Sequence, residues 1–303
     1  MMCGVTNDDL WPPLPLKGWK PTYETLHLRT QIVGKIRLEL TPLINHWWNT
    51  TLYVTGRGLT TSTMPYDGRG LELRFDFIDH VLVVEPSWDK PRTIALRPQT
   101  TAEFYGEVMQ TLHDIGVNVQ INTKTVELPV EIQLDRDRDH SSYDAEAVNR
   151  WWRIMLSADA VFTDFRSKFI GKSSPSHFFW GAFDLAVTRF NGKRAPARPP
   201  GPLAKIMAEA YSHEVISAGF WPGGQGVEEP AFYAYAAPAP DGFAQAKVKP
   251  AAAWYDTTLG EFLLKYEDVR RSARPREMLM DFLESTYAAA ADLAKWDRAA
   301  LER

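Results

Sequence analysis

The chain has 303 residues and a net charge of −4, because 38 Asp and Glu residues outnumber 34 Lys and Arg residues. A slightly acidic chain has no basic face that could follow a polyanion, so nucleic acid is not an expected partner. The length lies where one hydrophobic core begins to divide in two. Aromatic residues make up 12% of the chain and include 11 tryptophans, so clusters of large rings are expected in the core or around a ligand.

The sequence carries no signal for export or membrane insertion. Its one cysteine, Cys3, lies in a polar N-terminal segment and has no second cysteine with which to form an internal disulfide. No apolar run approaches the roughly 20 residues that span a bilayer, and the N-terminal residues lack the order of a signal peptide. We therefore expect a cytoplasmic protein without a membrane partner.

The N-terminal part of the chain predicts a helix followed by β-structure. Apolar spacing favours a helix over residues 23–33. After it, Ile36, Leu38 and Leu40 alternate as in a strand. Residues 51–97 contain short alternating runs separated by turn residues, which predicts an antiparallel meander.

Two helices with strong local signals follow in the middle of the chain. Thr100 and Glu103 form a capping box, and apolar residues then recur at helical spacing as far as Gly116. A broad apolar stripe from residue 143 to residue 170 predicts the second helix. Between the two helices, residues 117–132 are predicted to be extended.

The C-terminal part predicts buried strands and a closing helix. The nearly continuous apolar run at 177–190 is typical of one strand that is buried on both faces. Residues 212–221 and 231–237 predict two more strands, and Pro275 suits the first turn of the last helix. The sequence therefore predicts an α+β protein with antiparallel sheet and packed helices.

The order helix, strands, helix occurs on both sides of residue 140, which suggests a division of the chain. We expect residues 1–10 to be a disordered tail. Residues 11–140 and 141–303 are expected to form two similar α+β halves, docked tightly as one unit. Because the halves share no sequence period, only their architecture is expected to be similar.

Several catalytic signatures are incomplete in this sequence. Gly171-Lys172-Ser173 resembles the end of a phosphate-binding loop, but Arg166 stands where the first glycine of that loop should be. Ser217 lacks the glycine that a nucleophile elbow requires two residues earlier. The sequence contains no His-x-x-x-His pair and no CxxC motif. It therefore predicts no metal site and points to no particular cofactor.

The remaining candidates for chemistry are ionisable residues in strongly apolar strands. Asp184 lies within the run at 177–190, where an unpaired buried carboxylate would cost several kcal/mol. His177 begins the same run, and His213 and Glu214 begin the next strand. Because general acid/base catalysis uses these residue types, all four are predicted as catalytic candidates.

The two-residue period of a strand limits which of these candidates can meet. In one regular strand His177 and Asp184 face opposite sides, unless Gly181 marks a bulge. Adjacent His213 and Glu214 also face opposite sides. We therefore expect a site to use one residue of each pair, with His177 beside His213 or Glu214, or Asp184 beside a residue of the neighbouring strand.

Further residues near these groups are candidates for binding a ligand: His140, Tyr143, Lys172, Trp180, Arg189 and Trp221. The two tryptophans would form an apolar wall of a pocket. The lysine and the arginine would attract an anion. For each of them, a purely structural role in the core or on the surface is the alternative.

Five segments carry a resemblance to a known family: SPSHFFWGAFDLAVTRF, AYSHEVISAGFWPG, AFYAYA, LHLRTQIVGKIRLEL and FDFIDH. They resemble a family of bacterial proteins described only as a domain of unknown function. The similarity extends from about Trp11 to Glu302. It implies a bacterial protein that consists of one full-length family unit, and it implies no activity, cofactor or catalytic residue.

The residues favour an enzyme that acts on a small polar or anionic metabolite. Its pocket is expected between the strands at 177–190 and 212–221. One alternative is a noncatalytic module that binds a small molecule with its aromatic residues. The other is a structural or partner-binding protein in which those residues only fill the core.

Overall fold

The computed structural model describes residues 6–197, 201, 204–224 and 227–303. Within these residues the chain forms eight α-helices and two antiparallel sheets of six strands each. This is the α+β architecture that the sequence predicts. Of the predicted N-terminal tail, residues 1–5 lie outside the described residues, and Asn7–Leu10 form a short exposed helix.

Three of the eight described helices begin within about two residues of the start that local signals predict. In chain order they are α1 (Asn7–Leu10), α2 (Leu16–Leu40), α3 (Thr101–Asp114), α4 (Ala145–Ser167), α5 (Ala204–Ala210), α6 (Tyr266–Arg271), α7 (Pro275–Leu293) and α8 (Arg298–Leu301). At the start of α3 the Thr100 hydroxyl accepts a hydrogen bond from the Glu103 amide, and the Glu103 carboxylate accepts one from the Thr100 amide. The predicted helices at 101, 145 and 275 are therefore confirmed.

Helix α2 is longer than the sequence predicts. It continues through Ile36, Leu38 and Leu40, so the strand predicted there is wrong. The reason is burial: every residue from Thr25 to Arg37 is buried. A helix that is enclosed on all sides has no solvent-facing stripe, and its sequence therefore lacks a clear helical period.

The first sheet is the predicted meander of residues 51–97. Its spatial order is β1 (Tyr53–Thr55), β2 (Gly58–Thr60), β4 (Arg69–Asp76), β5 (Val81–Pro86) and β6 (Arg92–Ala95), with β3 (Met64–Tyr66) also paired to β4. The extended segments predicted at 117–132 are not strands of either sheet. Only a single bridge between Lys124 and Gln133 forms in that described part of the chain.

The second sheet contains a hairpin that the sequence does not reveal. Its spatial order is β11 (Trp254–Asp256), β12 (Glu261–Lys265), β10 (Ala231–Ala237), β9 (His213–Trp221), β8 (Asp184–Arg194) and β7 (His177–Phe179). The run predicted as one strand at 177–190 is divided by a turn, where Phe183 has a left-handed φ of 58°. The register pairs Phe179 with Asp184 and His177 with Ala186.

A short backbone bridge connects the two sheets. Leu52 and Phe178 exchange two backbone hydrogen bonds of 2.9 Å each, so the start of β1 lies beside β7. One hydrophobic cluster includes buried residues from both sides of residue 140, for example Phe75 and Phe282. The two predicted halves therefore contribute to a common core.

Candidate functional site

The second sheet has one face in the core and one face directed away from it. On the core face, Phe178, Leu185, Phe220 and Phe232 all belong to the main hydrophobic cluster. Because directly paired residues share a face of a sheet, the register also defines the opposite surface, which we call the polar face. The residues of this face that concern the site are His177, Phe179, Asp184, Ala186, Thr188, Ser217, Gly219, Trp221, Tyr233, Tyr235 and Glu261. Apolar residues lie on it too, among them buried Leu263, the direct partner of Tyr233.

Asp184 and Tyr233 form the centre of the polar face. Asp184 is only 6% exposed, and its carboxyl group accepts a hydrogen bond from the Tyr233 hydroxyl. Tyr233 reaches β8 by lying across Gly219, its direct partner on β9. A side chain at Gly219 would overlap with the Tyr233 hydroxyl, so glycine is needed for this contact.

The carboxyl groups around this pair resist ionisation. Burial, opposed by the hydrogen bond from Tyr233 and reinforced by Glu127, raises the pKa of Asp184 to about 7. Burial together with Asp184 and Asp256 raises the pKa of Glu261 to about 7. Glu127 as a whole residue is exposed at the rim of the site. Its carboxyl group is partly buried, and this burial raises its pKa. Carboxyl groups of this kind can donate or accept a proton near neutral pH.

Aromatic rings and hydroxyl groups surround the carboxyl groups. The rings of Trp221 and Tyr233 have centres 4.4 Å apart, and the Tyr233 ring stacks on Tyr235 at 6.2 Å. The hydroxyls of Thr188 and Ser217 share a hydrogen bond of 2.9 Å. Because Trp221 and Tyr235 are only half-buried, the polar face offers a ligand both an apolar wall and hydrogen-bonding groups.

His177 lies on the polar face together with Asp184. This corrects the expectation that the two face opposite sides, since the turn between β7 and β8 replaces the single strand on which it rested. His177 is a diagonal neighbour of Asp184 and is 1% exposed. Burial, followed by the charges of Arg166 and Arg37, lowers its pKa to about 3, so the imidazole is neutral near pH 7.

His213 and Glu214 lie on opposite sides of β9. The His213 ring, on the side of the polar face, has its centre 5.8 Å from that of His46. Glu214 accepts a hydrogen bond of 2.5 Å from the Asn191 side chain. It also lines a cavity of about 170 Å³ beside Trp296, on the core side of the sheet and away from Asp184. Glu214 is therefore not part of the polar face.

Lys172 lies near the opposite end of the polar face from Asp184. Its ammonium group donates a hydrogen bond of 2.7 Å to His46 Nε2 and lies 5.1 Å from the centre of the Trp48 ring. His46 Nδ1 in turn donates to the Ala210 carbonyl at 3.0 Å. Burial lowers the pKa of both Lys172 and His46, and this hydrogen-bond pattern requires a neutral imidazole.

The side chains of Arg189 and Trp180 both donate hydrogen bonds to backbone carbonyl groups away from the polar face. Arg189 is on the core face, where it donates to the Phe165 carbonyl and lies 4.2 Å from the centre of the Tyr287 ring; burial lowers its pKa to about 10. Trp180 is in the turn between β7 and β8, and its indole N–H donates to the Thr50 carbonyl at 2.7 Å. Neither side chain belongs to the polar face.

His140 and Tyr143 lie in the segment before α4, beside the first sheet. His140 Nδ1 is 3.0 Å from the Asp137 carboxylate. The Tyr143 hydroxyl is 2.9 Å from His80 Nδ1. Of the predicted site residues, the structure thus brings together His177, Asp184 and Trp221, and it places the others elsewhere.

The predicted site omitted the residues on the far side of the second sheet. Tyr233 and Tyr235 alternate with alanines in AFYAYAA, and this alternation was a usable signal for one shared face. Glu127 and Glu261 gave no signal, because their proximity to Asp184 depends on how the loop before α4 and strand β12 are placed. Within the described residues, no group of three or more His, Cys, Asp or Glu side chains is arranged to hold a metal ion.

Residues 11–303 match the family of unknown function DUF5996. The chain belongs to this family. The resemblance predicted from the sequence is therefore confirmed, and the whole polar face of this DUF5996 protein lies within the matched region. No curated protein and no solved structure matches the chain. Among the described residues, the helices are all too short or too polar to cross a bilayer.

Proposed function

We propose that this DUF5996 protein is an enzyme that binds a small polar metabolite on the polar face and transfers a proton through Asp184. One observation carries the proposal: a buried carboxyl group with a pKa near 7 is held by a phenol on a sheet face where Trp221 and Tyr235 are half-buried. A catalytic acid or base is most efficient when its pKa lies near the working pH. Asp184 meets this condition without a metal or a cofactor.

Asp184 and Tyr233 have different roles in the proposed reaction. Burial raises the pKa of Tyr233 well above its ordinary value, so its hydroxyl stays protonated and remains a hydrogen-bond donor. Asp184 exchanges its proton near neutral pH. In its ionised form it accepts a proton from a substrate O–H or N–H group, and in its protonated form it returns one. Tyr233 keeps the carboxyl group oriented during both steps.

The carboxyl groups around Asp184 restrict which chemical group of a substrate can bind beside it. Glu127 and Glu261 are the neighbouring carboxyl groups, and a second anion beside them would be repelled. An uncharged hydroxyl or an amino group is therefore favoured at this position. Trp221 and Tyr235 add ring faces that pack against an apolar part of the ligand and attract a cation.

An untargeted depletion assay tests the proposal. The protein is incubated with an extract of small polar metabolites, and mass spectrometry follows which compounds disappear. We expect Asp184→Asn to lower the rate of any such conversion by about 100-fold or more, and Tyr233→Phe to lower it by about tenfold. The control is Glu146→Gln, whose carboxylate lies on α4 with 89% of its side chain exposed; it should leave the rate unchanged.

Three outcomes would contradict the proposal. Conversion that survives Asp184→Asn would assign the chemistry to other residues. Ligand-induced thermal stabilisation without conversion, retained in Asp184→Asn, would support a noncatalytic binding module. If neither conversion nor binding occurs and Asp184→Asn destabilises the fold as much as a core truncation, a structural role would be supported.

A further inference from the structure

Unpaired nitrogen atoms accumulate where β7 meets β1, at the edge of the polar face. His177 is 1% exposed and Arg37, near the end of α2, is 6% exposed. Among the described residues, neither ring nitrogen of His177 has a hydrogen-bond partner, and the same is true of Arg37 Nε and Nη1. A buried polar group without a partner destabilises the fold, and more strongly when it is charged. Four such atoms lie on two side chains that both contact the Tyr53 ring, and a bound ligand would supply their missing hydrogen bonds.

Tyr53 contacts both side chains and shares a side-chain hydrogen bond with Arg37. Its ring centre is 5.4 Å from that of His177, and the Arg37 guanidinium carbon is 5.6 Å from the centre of the Tyr53 ring. Trp48 packs edge-on against the other side of His177, at 5.4 Å. Because Tyr53 and Trp48 are only half-buried, the unpaired nitrogens lie one side chain below the surface.

The charges that act on His177 itself are positive. Arg37 on α2 and Arg166 on α4 are the charged side chains that act on His177, and both oppose its protonation. A carboxyl group, that of Asp159, also lies nearby; it hydrogen-bonds to Ser176, and burial raises its pKa. The ammonium group of Lys172 lies over the Trp48 ring. A cluster of cations around a neutral imidazole favours a negatively charged partner, which would receive hydrogen bonds from the imidazole and from the guanidinium group.

We propose that His177, Arg37 and Tyr53 form a subsite for a small oxyanion, such as the carboxylate or phosphate group of a ligand. The guanidinium nitrogens donate two hydrogen bonds to the oxyanion, and the His177 N–H and the Tyr53 hydroxyl donate further ones. Trp48 closes the subsite from outside. This second site does not depend on the acid–base role of Asp184.

Inorganic phosphate and acetate serve as probes of the full-length protein. The readouts are the ¹⁵N resonances of the His177 ring and the melting temperature. We expect saturable shifts of the His177 resonances and a rise in melting temperature with ligand concentration. Because an ionic hydrogen-bonded contact would be lost, Arg37→Gln should weaken the affinity for phosphate by about tenfold or more.

Arg29→Gln is the matched control. Arg29 is a buried arginine on the same helix, and its Nε and Nη1 also lack a partner in the described part of the chain. Its Nη2 donates to the carbonyl groups of Arg97 and Gln99, away from the polar face. Its replacement should destabilise the fold and leave the phosphate affinity within about twofold of the wild type. An effect specific to Arg37 would therefore separate anion binding from general destabilisation.

His177→Phe provides a second test that does not need the Arg37 variant to fold. Phenylalanine fills a similar volume and removes two unpaired nitrogens, so the melting temperature should rise while the stabilisation by phosphate disappears. Phosphate and acetate distinguish the two oxyanion classes, and chloride at equal ionic strength controls for salt. The proposal fails if chloride stabilises equally well, if the His177 resonances do not shift, or if His177→Phe and Arg37→Gln retain the wild-type response.

Discussion

Asp184 couples the chemistry of the polar face to the stability of the protein. Its neutral form is favoured by burial, and its ionised form is held by one phenol and disfavoured by Glu127. A carboxyl group in this position costs stability whenever it is charged. The raised pKa that suits Asp184 to proton transfer therefore also predicts that the stability of the protein depends on pH.

The first prediction concerns this dependence. The pKa of Asp184 is raised from 3.8 to about 7 on folding. The stability that its protonated form contributes is therefore fully present below about pH 4 and is lost as the pH rises through 7. Relative to the wild type, Asp184→Asn should therefore gain stability between about pH 4 and pH 8, by at most about 4 kcal/mol. Denaturant unfolding at several pH values measures this difference.

The wild type must be compared with Asp184→Asn at each pH, because the titration of other groups changes the free energy of unfolding in the opposite direction. Burial lowers the pKa of His27 to about 4 and that of His177 to about 3, so their contributions are present above pH 6.5 and are lost as the pH falls. Glu146→Gln controls for the loss of an exposed carboxylate. A pH-independent difference between wild type and Asp184→Asn would contradict the assigned shift.

The second prediction concerns Gly219. In Gly219→Ala the added methyl group would overlap with the Tyr233 hydroxyl and with the Leu185 carbonyl. The hydrogen bond to Asp184 should break, and the free energy of unfolding should fall by about 1–3 kcal/mol. Thermal unfolding measures this loss. Gly56→Ala, where no atom lies within 4 Å of the added methyl group, should change stability little. Equal effects of both substitutions would show that Tyr233 does not require the glycine.

At the scale of elements, helix α2 and the β7–β8 turn determine each other's position. The Trp180 indole lies directly over Gly34 of α2. His27 Nε2, two turns earlier on the helix, lies 3.0 Å from the Trp180 carbonyl and 2.9 Å from the Gly181 carbonyl. This docking holds the end of β7 and the start of β8, and therefore the relative placement of His177 and Asp184.

The third prediction uses this contact. Alanine favours an isolated helix over glycine by about 1 kcal/mol, yet Gly34→Ala should lower the free energy of unfolding by about 2 kcal/mol or more, because its methyl group would overlap with the Trp180 ring. Gly106→Ala in the exposed part of α3 meets no neighbouring atom and should stabilise the protein slightly. Denaturant unfolding compares both variants. A stabilising effect of Gly34→Ala would contradict the docking of α2 on the turn.

At the scale of the molecule, aromatic packing crosses the predicted boundary at residue 140. Trp151 of α4 has its ring centre 6.3 Å from that of Trp19 on α2, 5.7 Å from that of Phe77 after β4 and 5.7 Å from that of Phe178 on β7. Its ring also stacks on Phe183 at 4.9 Å. One residue thereby joins both sheets to two helices.

The fourth prediction follows from this shared core. We propose that the two halves at 11–140 and 141–303 are one cooperative unit, so calorimetry of the full chain should show a single transition with equal calorimetric and van't Hoff enthalpies. Trp151→Ala should lower that one transition, at a cost of about 3–5 kcal/mol. Each half expressed alone should lack a cooperative transition. Two separate transitions, or an independently folded half, would contradict this proposal.

Elements whose signals are local could be predicted from the amino-acid sequence. The capping box of Thr100 and Glu103 and the apolar stripe of α4 act between residues a few positions apart, so α3 and α4 follow from the chain alone. The meander at 51–97 is similarly encoded, since alternation and turn residues act over short distances. Asp184 could be selected because a carboxyl group in an apolar run is costly wherever that run is buried.

The residues that contact Asp184 depend on the tertiary fold and could not be predicted. Tyr233 is 49 residues away, and it arrives through the pairing of β9 with β8 and β10 and through the space above Gly219. The helical continuation of α2 and the turn inside 177–190 likewise depend on burial among distant segments. Local propensity depends on residues that are close together in the sequence. Strand register and close packing depend on segments that are far apart in the sequence, and the polar face is formed by such segments.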